Sequence, residues 1–126
     1  MQEITMEQFY ALAESCECLT RQEEIECAQK MKDGDLDEKA KMIASYIPMM
    51  AGHIKHMKPQ FQTIELVSDC MKALEKAVDS YDFIQESETF THRLSWWLRE
   101  TSTRYIAVKC RAEQAAFACQ DMEKEL

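Results

Sequence analysis

Apolar residues recur at steps of three and four along most of this chain, which is the spacing of one helix face. The clearest run is Ile64, Val67, Met71, Leu74, Val78 and Tyr81. Its other faces carry Glu65, Ser68, Asp69, Lys72, Glu75, Lys76 and Asp79. This predicts a helix beginning after Thr63. A second seam precedes it, formed by Ala40, Ile43, Ile47, Met50, Ile54 and Met57. Pro48 lies inside that seam, removes one amide and crowds the turn before it, so a kink or break is expected there. Only the short stretch around Lys58-Pro59-Gln60 joins the two seams. They are expected to pack as a central antiparallel helical hairpin over residues 35–82.

Shorter helices are expected before the hairpin, within residues 5–34. Thr5 with Gln8, and Thr20 with Glu23, have the spacing of capping boxes. The first of these helices would end near Ser15 and bury Phe9, Leu12 and Ala13. The second would bury Ile25, Ala28 and Met31 and stop at Gly34, with Asp35 capping the hairpin's first helix. Residues 82–89 are mostly polar and read as a turn. A long last helix then runs through 90–122, its later part carrying only the thin stripe Val108, Ala112, Ala115, Ala116 and Cys119, and its final residues 123–126 fraying. The expectation is an all-α chain: one compact bundle of about five helices across residues 1–126.

Both tryptophans lie in that last helix, side by side. Neighbours on a helix point about 100° apart, so one narrow seam cannot bury both. Trp97 falls on a stripe with Leu94, Leu98, Thr101 and Tyr105 and is the expected core residue. Trp96 falls with Arg93, Glu100 and Thr103 and is the expected surface residue. A ring held at the surface beside an arginine suits stacking on a flat partner such as a nucleobase. The plainer alternative is that both indoles brace a small core.

Composition narrows the field. Glycine and proline number two each, which disfavours a turn-rich β fold. The net charge of −8 disfavours broad, nonspecific nucleic-acid binding while leaving room for a local surface. The six cysteines are scattered without zinc-site spacing, and the start of the chain has neither the basic nor the apolar part of a signal peptide. No apolar run is long enough for a membrane span. Reduced thiols in a cytoplasmic protein are the expectation. His53 and His56 stand three apart, but no further ligand is placed by spacing, so they read as surface histidines and no metal is expected. There is no phosphate loop, nucleophile elbow or catalytic pair, so neither an enzyme nor a cofactor is expected. Binding remains.

Three segments resemble the bacterial RNA polymerase sigma factors of the housekeeping type. Residues 19–35, beginning Leu19-Thr20-Arg21-Gln22-Glu23-Glu24-Ile25-Glu26, resemble the helix preceding that family's core region. Glu65 to Asp82 resembles its polymerase-binding helix. Phe90 to Ala107, with the tryptophan pair, resembles its promoter-melting helix. Order and spacing agree apart from about one extra residue before Phe90, and the resemblance covers roughly Leu19 to Ala107.

The resemblance implies a divergent domain of the core-binding, minus-ten-recognition type. Its helical hairpin would dock on the clamp helices of the polymerase's largest subunit through Glu65, Ser68, Asp69, Met71 and Glu75. Of the family's preferences there, only the acidic character of Glu65 and Asp69 is kept. Promoter minus-ten DNA would be met by Phe90, Arg93, Trp96, Trp97, Arg99, Glu100, Thr103 and Arg104. That contact is expected to be weaker than in the family. Glu100 replaces a base-reading glutamine and Arg93 a stacking tyrosine, and Ile84, Gln85, Glu86, Ser87 and Glu88 supply no cation. The alternative is a degenerate sigma-like interaction or regulatory module that has lost DNA reading and meets a regulator or a second sigma subunit.

Overall fold

The computed structural model describes residues 4–83 and 89–125, with side chains through Ala116. Among these residues the elements are α1 (Met6–Ser15), α2 (Arg21–Lys32), α3 (Leu36–Ser45), α4 (Ile47–Lys55), a 3-10 turn at Pro59–Phe61, α5 (Ile64–Ser80) and α6 (Phe90–Glu125). No helix among them is long and apolar enough to cross a membrane. The turn expected over 82–89 falls partly on residues 84–88, outside the described residues.

The helix starts follow from local chemistry. The Thr5 hydroxyl accepts from the Gln8 amide at 3.1 Å, and the Gln8 side chain accepts from the Thr5 amide at 2.9 Å. Thr20 and Glu23 repeat the arrangement at 3.2 and 3.1 Å. Each such cap is worth about 1 kcal/mol. Gly34 takes φ +89°, which lets the chain turn out of α2 before Asp35 caps α3 through the Asp37 and Glu38 amides. Pro48 falls in the first turn of α4, where its missing amide removes no helical bond. The expected interruption is therefore a true break at Tyr46.

Hydrogen bonds and ion pairs show the directions of packing. Lys39 at the start of α3 meets Asp79 at the end of α5 at 2.6 Å. The Gln62 side chain, just before α5, donates to the Met57 carbonyl beyond α4 at 2.8 Å. Helices α3 and α4, taken in succession, thus run antiparallel to α5. Helix α5 packs most extensively on α6, also antiparallel. The Thr63 and Tyr105 hydroxyls meet at 2.6 Å at one end, and Tyr81 packs on Phe90 with ring centroids 5.2 Å apart at the other. Helix α2 lies on α3, and α1 on α4.

The core runs along these contacts through Met42, Met50, Ile54, Leu66, Leu74, Leu94 and Leu98. Burial departs from the expected seams in five places. Helix α2 buries Cys27 beside Ala28, while Ile25 is only partly covered. Leu12 is 50% exposed, because α1 turns Phe9 and Ala13, with Met6 and Tyr10 beside them, towards the core. Ala40 is exposed, and α3 buries Met42 and Ser45 instead. The break at Tyr46 makes α3 and α4 separate rods, so one phase cannot be carried through both. Helix α5 buries Leu66, Cys70, Ala73 and Ala77 beside the expected seam, because it is covered on two sides. Helix α6 continues to Glu125 rather than ending near Asp121, and Val108, Ala112, Ala115 and Ala116 are exposed. The Lys109 ammonium ties α6 to the segment before α5 through the Gln60 carbonyl at 3.3 Å.

Candidate binding groove

The two sets of residues singled out for different partners meet in one place. A groove of ≈ 680 Å³ lies between α5 and α6. Helix α5 lends it Glu65, Ser68 and Asp69, and α6 lends it Trp96, Trp97, Glu100 and Arg104. Antiparallel packing produces this juxtaposition. The first turns of α5 lie opposite Tyr105, so the middle of α5 lies opposite the indoles.

The tryptophans divide as their phase requires. Trp97 is partly buried and packs against the core, while Trp96 is 55% exposed. Their rings meet edge to face with centroids 5.5 Å apart. The partly buried indole thus braces the exposed one, much of whose surface stays open to solvent.

The remaining candidates separate into those at the groove and those away from it. Met71 is partly buried against the core, and Glu75 is exposed outside the groove lining. Arg99 and Thr103 are exposed and do not line the groove. Arg93 lies over the Tyr81 ring, 5.4 Å from its centroid. Phe90, expected at the DNA surface, is 4% exposed. Its ring packs on Tyr46 at 4.6 Å, Phe83 at 4.8 Å and Tyr81 at 5.2 Å. It sits in a cluster of aromatic rings that closes the bundle where α6 begins, and it has no ring face to offer a base.

Below the groove a polar junction joins three helices. His53 Nε2 on α4 meets the Ser102 hydroxyl on α6 at 2.8 Å, and Ser102 is 6% exposed. Burial, then the nearby Arg99 and His56, hold the His53 imidazole below its ordinary value. Burial pushes the Cys70 thiol on α5 up to about 12; Asp69 adds to this and a hydrogen bond with Ser102 opposes it. His53, expected at the surface, therefore joins α4 to α6. Nothing in its spacing reveals this, because its partner is 49 residues away. Across the molecule the Tyr46 phenol donates to the Glu24 carboxylate, and burial, then this bond, drive its pKa upward. Among the described residues no three His, Cys, Asp or Glu side chains converge as a metal site would need.

Sequence reasoning does not single out Lys72 and Lys76, yet both line the groove. With Arg104 they face the carboxylates of Glu65, Asp69 and Glu100, so the lining is balanced in charge.

No family model matches the chain. It is similar to the RNA polymerase sigma factor SigA of Clostridium acetobutylicum, 29% identical over 94 residues. The SigA proteins of Listeria monocytogenes and Listeria innocua are each 28% identical over the same length. These matches cover 74% of this chain and 25% of each relative, so the chain corresponds to about a quarter of the length of the curated relatives it matches. A helical chain whose two indoles share a groove with its most periodic helix thus stands in a distant, sigma-factor-like relationship to the SigA proteins.

Proposed function

We propose that this chain is a sigma-factor-like domain that binds RNA polymerase core and takes part in recognising and melting the promoter minus-ten element in the cytoplasm. The observation that carries the reading is Trp96, held outward at the groove between α5 and α6 in a chain similar to SigA over 74% of its length. On this reading the exposed part of α5, with Glu65, Ser68, Asp69 and Glu75, faces the clamp helices of the largest subunit. Trp96 stacks on an exposed base, Trp97 holds it in place, and Arg99, Glu100, Thr103 and Arg104 approach the strand. Met71 contributes to docking by its packing, since its side chain is shared with the core.

A second reading keeps docking and drops DNA reading. It is favoured by Phe90 lying in the core and by the balanced charge of the groove. The two readings part at one substitution. With the chain bound to polymerase core, Trp96→Ala should abolish open-complex formation at a minus-ten promoter while leaving co-purification with core intact. Unchanged transcription would select the second reading.

A further inference from the structure

Lys72 and Lys76 belong to α5, the helix assigned to protein docking, yet both line the groove that holds the indoles. The antiparallel register fixes which end they occupy. Thr63 meets Tyr105 and Tyr81 meets Phe90, so Lys72 and Lys76 lie alongside the Trp96–Trp97 stretch, while Glu65 and Asp69 lie towards Arg104. Along its length the groove therefore has both ammonium groups beside the indoles, and Glu65, Asp69 and Glu100 with Arg104 towards the other end. Both lysines are exposed, and among the described residues neither forms an ion pair.

A cation beside an exposed aromatic face is the pairing that holds a single nucleic-acid strand: the ring takes a base and the ammonium takes the phosphate. We infer that Lys72 and Lys76 hold the phosphates of a single DNA strand whose base stacks on Trp96, so that α5 supplies cations that residues 84–88 lack. This rests on the proposed DNA-reading function and adds two residues from a different helix to it. The carboxylates of Glu65 and Asp69 repel a phosphate backbone, so the strand keeps to the α6 side there, where Arg104 lies, and meets α5 at Lys72 and Lys76.

The test is a fluorescence titration of the full chain with an A/T-rich single-stranded 12-mer at several salt concentrations, read by quenching of the Trp96–Trp97 emission. Lys72→Ala/Lys76→Ala is compared with Lys41→Ala/Lys58→Ala, which changes the net charge equally at exposed positions outside the groove. The inference expects the groove variant to bind about tenfold more weakly near 100 mM salt. Its plot of log affinity against log salt should flatten by about 1.4, at ~0.7 for each phosphate no longer neutralised, and the control pair should keep the full slope. Equal slopes for wild type and groove variant, or no binding by wild type even at low salt, would overturn the inference. Co-purification of both variants with polymerase core is scored separately, and its loss in the wild type would count against the functional reading instead.

Discussion

At the scale of single residues, the indoles and the buried polar groups set the behaviour of the protein. Trp97 packs against the core and Trp96 does not, so their truncations should differ in kind. Trp97→Ala should cost about 2–3 kcal/mol in urea unfolding, below the full range for a buried tryptophan. Trp96→Ala should cost well under about 1 kcal/mol, as surface changes do. His53 gives a pH signature. Its folded pKa lies below the ordinary value of 6.5, so the unfolded chain takes up a proton first as the pH falls. Stability is then lost progressively below about pH 6.5, the linkage expected for a half-buried histidine that is neutral in the folded state. Between pH 7 and pH 5, urea midpoints should fall further for wild type than for His53→Gln. The thiols should also sort by environment. Burial pushes Cys27 up to about 11 and Cys70 to about 12, so alkylation of the native protein should label exposed Cys18 and spare both until urea unfolds the chain.

At the scale of elements, what is legible in the sequence is whatever depends on near neighbours. The threonine caps, the stop at Gly34, the break before Pro48 and the split between Trp96 and Trp97 all rest on residues within a turn or two. The misplaced burials rest on a break in helical phase or on partners far along the chain. Periodicity puts Ala40 in the seam only if one phase is carried across the break at Tyr46. Spacing puts His53 at the surface because it says nothing of Ser102. Resemblance puts Phe90 on DNA, whereas its place among Tyr46, Tyr81 and Phe83 depends on how three segments meet. Lys72 and Lys76 read as a solvated face until α6 lies beside them. Helix α5 is covered on two sides, and Leu74 at its middle is fully buried. Leu74→Ala should therefore destabilise the fold by about 3 kcal/mol. Lys39→Ala should cost under about 1 kcal/mol although its ion pair with Asp79 is short, because half-exposed surface pairs are worth little.

At the scale of the molecule, the groove between α5 and α6 puts a surface proposed for a protein partner beside one proposed for DNA. An overall charge of −8 would repel a phosphate backbone at long range, so any strand should bind only where lysines and indoles concentrate. Docking on a larger enzyme would then strengthen DNA reading beyond what the free chain achieves, because the enzyme would hold the strand near the groove. The most direct measurement is a crosslink. A photoreactive group replacing Asp69 on α5, and separately one replacing Glu14 on the exposed face of α1, is mixed with RNA polymerase core and irradiated. Docking through α5 predicts an adduct with the largest subunit from position 69 and none from position 14. No adduct from position 69, or equal adducts from both positions, would contradict it.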